Sequence, residues 1–381
     1  MLVPLSALAL LCLAVVGWLT IDGVRAVLAR ARAERAQRTL LLRVSGRREV
    51  SDDHLCLTLA HPEGRTLPRF APGQHLLLHA PAGRNGATIQ RAYSLAAWEM
   101  VPKTYELGIK RERQGGMTSW LWSSLHEGDA VLVSRPQGRF VLKDGGGPVV
   151  LIAGGVGVTP MRAMLHMALS EKRRVMLFHA VRRVEGLLYR EEFERLAARH
   201  ANFSYLPQLS RPDIRWPGAS GRLALPQLLE QVQAVLPPDQ ADYYLCAGAA
   251  MMETLSAGLV AAGISPARIH REAFCVAAGA GLAGLTIAVD QQDGMRCVET
   301  RGEPTLLASL EANGIDVPSE CRTGSCGLCE VHLEHGDVEW LVEPEYRTRA
   351  GRVLPCVCVP KGALSIRLLD DGAPERENPR P

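Results

Sequence analysis

Apolar residues follow several patterns along the chain, and each pattern predicts a different kind of structure. Residues 2–21 form a run of about twenty residues without a charge, long enough to cross a bilayer as a helix. From residue 38 to residue 143, short runs of alternating apolar and polar residues, such as 40–44, 54–59 and 75–79, are separated by Pro/Gly turns. This alternation predicts an antiparallel β-barrel.

The pattern changes after residue 147. Residues 148–153 are a continuous apolar strand that runs into a glycine-rich turn and a helix, and strands and helices then alternate up to residue 274. This order predicts an α/β Rossmann-like domain with a parallel sheet. An Ala/Gly-rich linker at 275–284 precedes a hairpin, a helix and further strands at 285–371, which predict a small α+β domain. The tail, 372–381, is expected to be disordered.

The charges around the first apolar run indicate how it would sit in a membrane. Asp22 is the first charged residue, and five arginines follow it at positions 25, 30, 32, 35 and 38. By the positive-inside rule the body of the protein is cytoplasmic. A cleavable signal peptide would carry its charge before the apolar run and end in small residues, which fits poorly. We therefore expect residues 1–37 to form a single-pass anchor in the inner (cytoplasmic) membrane with a basic juxtamembrane helix.

Composition and charge restrict the class of partner. The hydrophobic fraction is 47%, which with 36 glycines and 24 prolines indicates a folded protein with many turns. The formal net charge is +3, but residues 284–371 hold 15 Asp/Glu against 8 Lys/Arg. An acidic last domain argues against nucleic acid as partner and favours a basic protein partner. An acidic surface that is merely solvated would explain the same count.

Four cysteines carry the most specific chemistry in the sequence. Three of them have C-x4-C-x2-C spacing, and a fourth lies further on in a segment, 353–356, that we expect to be a strand. This is the plant-type [2Fe–2S] ligand pattern: Cys321, Cys326, Cys329 and Cys356. A structural zinc site usually pairs two C-x2-C motifs, and only one is present here. The first three cysteines are too crowded for a disulfide framework. Cys358 is an alternative to Cys356 as the fourth ligand.

Two short motifs in the predicted barrel resemble those of the ferredoxin-NADP reductase superfamily. They are R-x-Y-S, beginning at Arg91, and G-G-x-x-S, ending at Ser119. The resemblance implies that Arg91 contacts the flavin phosphate, that Tyr93 packs on the flavin ring and that Ser94 lies near its reactive N5. A helix opening near Met117 would offer free N–H groups to the pyrophosphate. The implied phosphate-binding residues there are Gly116, Thr118 and Ser119. We expect FAD, with FMN as the alternative.

The predicted α/β domain carries a second set of motifs. A strand, a glycine-rich turn and a helix start form a cradle for pyrophosphate. The resemblance implies that Cys246 lies near the nicotinamide C4, although Ala247 and Gly248 replace the usual Gly-Pro, and that Glu272 lines the hydride-transfer site. A buried, inert cysteine is the alternative reading of Cys246. The resemblance also implies that four residues of the turn and helix start face the nucleotide: Gly154, Gly155, Gly157 and Thr159.

Three further residues bear on the choice of coenzyme. Arg182 follows the second strand of this domain, and Ser210 and Arg211 follow the third. In NADPH-using relatives a Ser-Arg pair at this place binds the 2′-phosphate, and a guanidinium suits phosphate. We expect NADPH, and NADH remains open.

The order of the three domains predicts the function. It resembles the reductase components of multicomponent oxygenases, including the phenylacetyl-CoA epoxidase reductase type, whose ferredoxin domain has a β-grasp fold. The resemblance implies electron flow from NAD(P)H to FAD, then to [2Fe–2S] and on to a terminal oxygenase, hydroxylase or desaturase. The predicted anchor suggests that this acceptor is membrane-bound. A soluble haem or hybrid-cluster acceptor, or a redox-sensing role, remains open.

Overall fold

A computed structural model describes most of the chain: residues 39–81, 88–111, 116–272, 281–291, 294–319, 322–324, 327–344 and 346–369. The predicted anchor at 1–37 and the tail at 372–381 lie outside these ranges. Within them, no helix combines the length and the apolar character needed to span a bilayer.

The first domain is an antiparallel barrel with one helix, as predicted. Its sheet order is β4-β3-β6-β1-β2-β5, and the bridge between Leu95 and Leu107 brings the two edge strands together. On β1, Leu42 and Val44 are fully buried and their neighbours are exposed, so the alternating pattern faces one side of the strand toward the core. The elements are β1 Thr39–Ser51, β2 His54–Ala60, β3 His75–Pro81, β4 Thr88–Ser94, β5 Thr104–Lys110, α1 Gly116–Ser123 and β6 Ala130–Ser134.

The second domain is a parallel sheet in the order β10-β9-β8-β7-β11-β12. Its central strand β7 is buried along almost its whole length, as the continuous apolar run predicts. The elements are β7 Val149–Gly154, α2 Val158–Ser170, β8 Val175–Val181, α3 Arg190–Arg199, β9 Phe203–Leu209, β10 Ala219–Ser220, α4 Leu225–Gln233, β11 Asp242–Cys246, α5 Ala249–Ala261 and β12 Ile269–Glu272.

The described residues of the third domain form a mixed sheet in the order β14-β13-β19-β15-β17, a two-stranded β16–β18 pair and one helix. Two details differ from the sequence prediction. Strand β13 begins at Ala283, inside the predicted linker, and Cys356 lies in a 3₁₀ turn after β17 where a strand is predicted. The elements are β13 Ala283–Gln291, β14 Gly294–Arg301, α6 Leu306–Ala312, β15 Val331–His335, β16 Val338–Trp340, β17 Arg352–Val353, β18 Cys358–Pro360 and β19 Leu364–Arg367.

Candidate functional site

A cleft of about 1410 Å³ opens at the carboxyl ends of the parallel strands. It lies where β7 is flanked by β8 on one side and β11 on the other, which is the topological switch point where ligands of such sheets bind. Lys110 and the β1–β2 turn of the barrel form part of its wall. The residues of the second domain that line it include Gly154, Gly155, Arg182, Arg183, Ser210, Arg211, Arg222, Gly248 and Met251.

The glycine-rich loop between β7 and α2 fits a closely approaching dinucleotide. Gly155 has a φ of +59°, a left-handed conformation that glycine adopts without strain. A Cβ on Gly157 would lie 2.0 Å from the carbonyl oxygen of Cys246 and 3.2 Å from its Sγ. The loop therefore packs directly on the end of β11, and α2 begins directly after it at Val158, whose own N–H donates back to the carbonyl oxygen of Gly155.

Thr159 is placed differently from what the resemblance implies. Its side chain is 1% exposed, and its hydroxyl donates a hydrogen bond to the carbonyl oxygen of Val156 at 2.9 Å. It does not line the cleft described above. A direct role for Thr159 in nucleotide binding stays a prediction, whereas the hydrogen bond shows that it closes the first turn of α2.

A buried histidine on the neighbouring strand hydrogen-bonds to the same loop. His179 on β8 is fully buried, and its Nε2 donates to the carbonyl oxygen of Gly155 at 3.2 Å. Its Nδ1 lies 3.4 Å from the hydroxyl of Tyr205. Burial lowers the pKa of His179 to about 4, although the hydrogen bond to Gly155 acts in the opposite direction. The imidazole is therefore neutral at physiological pH and fixes the Gly155 peptide without adding charge.

The three predicted catalytic residues come from both domains and converge. Ser94 pairs with His75 across β3 and β4, and Nδ1 of His75 lies 3.9 Å from Oε1 of Glu272. Glu272 in turn pairs with Cys246 across β11 and β12. Cys246 packs against Gly157, as described above. One continuous path of neighbours thus leads from the barrel strand that holds Ser94 to the glycine-rich loop.

Ser94 provides a test of whether this place fits a flavin. Its side chain is buried, and its Oγ has no hydrogen-bond partner within the described part of the chain. Buried hydroxyls are nearly always hydrogen-bonded, so such an atom indicates a missing partner. A flavin ring with its N5 at this place would supply one. Arg91 and Tyr93 lie on the same strand, and Thr118 and Ser119 lie in the first turn of α1, whose N-terminal residue is Gly116.

The described part of the third domain fits an iron–sulfur cluster. Cys329 and Cys356 are both buried in its apolar core. Gly324 and Gly327 have φ values of +77° and +75°, and a Cβ on Gly327 would lie 2.3 Å from the ring of Tyr346. The loop therefore needs glycine there to turn back on itself. The other two predicted ligands, Cys321 and Cys326, lie outside the described residues.

Cys358 remains the alternative fourth ligand. It is fully buried, and burial first and the neighbouring Cys329 second raise its thiol pKa well above the ordinary value. Cys358 is therefore close to Cys329, and its position is compatible with a role as the fourth cluster ligand. Cys356 keeps the spacing of the plant-type pattern, and its role as ligand stays a prediction.

Sequence reasoning missed several residues of this site. His75 joins Ser94 to Glu272, and His179 supports Gly155. Neither carries a local motif, because their roles depend on strand register and on which strands are neighbours. Gly108 on β5 was also missed, and a Cβ there would lie 2.5 Å from Cγ2 of Thr159. Its sequence context did carry a signal, because a glycine inside a strand often marks the close approach of another backbone or side chain.

Three family models match the chain in the order predicted. The oxidoreductase FAD-binding domain matches residues 41–142, the oxidoreductase NAD-binding domain matches residues 151–257, and the 2Fe-2S iron-sulfur cluster binding domain matches residues 288–361. The matched residues fall inside the three domains described above.

Curated relatives are similar over most of the chain. One is the ferredoxin reductase component of 3-ketosteroid-9-alpha-monooxygenase from Rhodococcus rhodochrous, 29% identical over 353 residues, with 85% of this chain and 95% of the relative covered. Other relatives of similar identity are reductase subunits of other oxygenase systems.

Two solved structures extend the comparison. Phthalate dioxygenase reductase, described as a modular structure for electron transfer from pyridine nucleotides to [2Fe–2S], superposes with a TM-score of 0.62 at 24% identity, and the match covers 88% of this chain and 99% of that chain. At that identity it shows the shared fold. A cytochrome P450 reductase from Amycolatopsis is 31% identical with a TM-score of 0.55, and 62% of this chain and 70% of that chain are covered.

Replacing Ser94 separates a structural role from a functional one. Ser94→Ala removes a buried hydroxyl without a partner, so we expect the flavin-free protein to unfold within about 1 kcal/mol of the wild type. With flavin bound, we expect reduction by NAD(P)H to slow by about tenfold or more, because one hydrogen-bond donor at the reacting position is lost. Chemical unfolding and stopped-flow absorbance measure the two effects.

Ser134→Ala is the matched control. The Ser134 hydroxyl is buried but satisfied, since it accepts from the amide of Leu77 at 2.9 Å and donates to the carbonyl oxygen of Arg135 at 2.8 Å. Its loss should destabilise the protein by about 1–2 kcal/mol and leave the rate unchanged. Ser94→Ala with the stability loss of Ser134→Ala and an unchanged rate would contradict the assignment.

Proposed function

Because the chain belongs to the ferredoxin-NADP-reductase-like reductases, with an FAD-binding, an NAD-binding and a [2Fe–2S] ferredoxin domain, we propose that it is the reductase component of an oxygenase system. It is an oxidoreductase that transfers electrons from NAD(P)H through FAD to [2Fe–2S]. The observation that carries the proposal is the convergence of Ser94, Glu272 and Cys246 beside the glycine-rich loop, on a chain that continues into a ferredoxin domain.

The protein's own residues bind and orient the reacting groups. When bound, FAD converts the two electrons of a hydride into the single electrons that a [2Fe–2S] centre accepts. Gly157 lets the glycine-rich loop pack on the end of β11, where Cys246 lies, and so brings the loop and Cys246 together. Ser94 offers a buried hydroxyl, and Glu272 and His75 add a carboxylate and an imidazole next to it. These buried groups exclude water from the place where hydride would pass.

NADPH is the proposed coenzyme. Arg182, Ser210 and Arg211 all line the cleft at the ends of β8 and β9, and Arg183 and Arg222 add positive charge to the same wall. A phosphate monoester at this end of the cleft would find several guanidinium donors. Glu185 is the acidic residue of the second domain in the lining, so NADH binding through a ribose diol remains the competing reading.

The proposed electron acceptor is the terminal component of an oxygenase, hydroxylase or desaturase. The relatives that support this are reductase components of oxygenase systems and match 78% to 85% of this chain. A haem protein is the second candidate acceptor. The observation in its favour is the 31% identity to a cytochrome P450 reductase over 62% of this chain.

We further propose that the protein is held at the inner membrane by residues 1–37, with its catalytic domains in the cytoplasm. The support is the uncharged run at 2–21 and the five arginines that follow it between residues 25 and 38. Such an anchor would place the reductase close to a membrane-bound diiron desaturase or alkane hydroxylase. The electron acceptor would then lie in or on the same membrane.

The cluster ligands can be tested with two electron acceptors. Ferricyanide can accept electrons from a flavin, whereas cytochrome c reduction should depend on the one-electron cluster. In Cys356→Ser we expect ferricyanide reduction by NADPH to persist and cytochrome c reduction to fall by about tenfold or more, because thiolate ligation is lost. The two steady-state rates are measured on the same preparation.

Cys358→Ser is the control for that experiment. We expect it to keep both activities, because the spacing of the ligand pattern assigns Cys356 to the cluster. The reverse result would make Cys358 the ligand. Full cytochrome c reduction in both variants would contradict electron transfer through the cluster, and no reduction in the wild type would favour a sensing role.

Coenzyme choice can be tested by removing one guanidinium. If Arg211 meets the 2′-phosphate, Arg211→Ala should raise the KM for NADPH by about tenfold or more and change the KM for NADH little. Arg215→Ala, an exposed arginine of the same loop outside the cleft lining, is the control and should change neither. Equal effects of Arg211→Ala on both coenzymes would count against a phosphate contact.

The anchor can be tested by fractionation. We expect the full chain to stay in the membrane pellet after washing with high salt, because an apolar span does not depend on charge. A chain that begins at Thr39 should be found in the supernatant. Full-length protein in the supernatant before any wash would refute the anchor.

A further inference from the structure

An arginine on α2 connects the two domains beside the candidate site. Arg162 lies five residues after Gly157, and its side chain is 13% exposed. It lies outside the lining of the nucleotide cleft. Its contacts therefore serve a purpose other than direct recognition of the nucleotide.

On the barrel side, the guanidinium makes two contacts. Nη1 of Arg162 donates to the carbonyl oxygen of Ala96 at 3.1 Å, and it lies 3.2 Å from Oε2 of Glu106 on β5. Ala96 is two residues after Ser94, and its own amide donates to the carbonyl oxygen of Glu106 at 2.8 Å. The same guanidinium thus fixes both the segment that follows Ser94 and the strand next to it.

On the side of the second domain, the guanidinium is held by α3. Nε of Arg162 lies 2.9 Å from both carboxylate oxygens of Glu192, and the guanidinium stacks 4.6 Å from the ring centre of Tyr189. Nε2 of His166 lies 2.7 Å from Oε1 of Glu192. The orientation of the arginine is therefore determined by three side chains, those of Glu106, Glu192 and Tyr189, and a lysine could not reproduce it.

The two domains also meet at van der Waals distance here. A Cβ on Gly108 of β5 would lie 2.5 Å from Cγ2 of Thr159 and 2.9 Å from the hydroxyl of Tyr189. Tyr189 itself has a φ of +59° and precedes α3 directly. Glycine at 108 is thus what allows β5 to approach α2 closely enough for Arg162 to reach Glu106.

The charges are balanced inside this contact. Burial lowers the pKa of Arg162, but Glu106 and Glu192 raise it by more, so the guanidinium stays charged. Removing one member would leave a partly buried carboxylate without its counter-ion, which is costly. The contact thus has one favoured arrangement.

Resting on the proposed reductase function, we propose that Arg162 is a positioning residue that sets the separation between the flavin side of the site, at Ser94, and the nucleotide side, at Gly157 and Cys246. Arg162 is connected to both sides over a short distance. It hydrogen-bonds to Ala96, which is two residues after Ser94, and it lies on α2, five residues after Gly157. Productive hydride transfer needs reacting atoms about 3–3.5 Å apart, so a small shift between the domains has a large effect on rate.

Three single variants, one double variant and one control test the proposal in the purified full-length holoenzyme. The single variants are Arg162→Met, Arg162→Lys and Glu106→Gln, and the double variant combines Arg162→Met with Glu106→Gln. The control is Arg195→Met, whose arginine pairs with Glu191 on the exposed face of α3. Stopped-flow absorbance gives the limiting rate of flavin reduction and the apparent Kd for NADPH. The long-wavelength absorbance formed when NADP⁺ is added to the reduced protein reports stacking of nicotinamide on flavin. Hydrogen exchange reports the segments 94–96 and 104–108.

We expect Arg162→Met to lower the limiting rate by about tenfold or more, with flavin content unchanged and the apparent Kd within about threefold of the wild type. The long-wavelength absorbance should weaken, and exchange at 94–96 and 104–108 should quicken. Arg162→Lys should recover part of the rate. Glu106→Gln should slow the reaction less, and adding it to Arg162→Met should cause little further loss, because both changes remove the same contact. Arg195→Met should match the wild type.

Three results would overturn the proposal. One is a limiting rate in Arg162→Met within about twofold of Arg195→Met, and another is a rate loss that simply follows loss of flavin or nucleotide binding. The third is unchanged hydrogen exchange in both segments. Absence of flavin reduction in the wild type would instead refute the proposed function, and the exchange measurement would still decide whether Arg162 connects the domains.

Discussion

Hydride passes only between groups in contact, so two separately folded domains that bind its donor and its acceptor must meet closely at one point. For the proposed reductase function, that point would lie between the end of β4 and the loop after β7. Backbone packing already makes it tight, since Gly157 has no room for a Cβ against Cys246 and Gly108 has none against Thr159. Buried polar groups then orient the contact: Arg162 across the domains, and His179 under Gly155.

The coenzyme cleft and the ferredoxin domain can both change without altering this contact. The basic wall of the cleft can vary with the coenzyme without disturbing it, because Arg211 and Arg222 follow β9 and β10, which lie two and three strands away from β7 in the sheet. The ferredoxin domain has its own core and its own tight loop, in which Gly327 packs against Tyr346. It is therefore a separate folding unit, and the acceptor that it serves can change without redesign of the hydride-transfer site.

Most of the fold was predictable from the sequence because each domain has its own periodicity. Alternation predicted the barrel, a continuous apolar run predicted β7, and cysteine spacing predicted the cluster domain. Residues that stand in local motifs, such as Ser94 and Cys246, could be named from the sequence, and their roles stay predictions. His75, Arg162 and His179 act through partners 24 to 197 positions away, as the pairs His179–Gly155, Arg162–Ala96 and His75–Glu272 show. Such pairs depend on strand order and register, which no local pattern encodes. The predicted strand around Cys356 was wrong, because Pro355 begins a 3₁₀ turn there.

The central claim is that one chain carries electrons from NADPH through a flavin to an iron–sulfur centre. The most direct test mixes the full-length holoprotein with NADPH under anaerobic conditions and follows visible absorbance and electron paramagnetic resonance in parallel. We predict that flavin bleaching is accompanied by the rhombic signal of a reduced [2Fe–2S] centre, at a rate fast enough to support turnover. Flavin bleaching without any cluster signal would contradict the account.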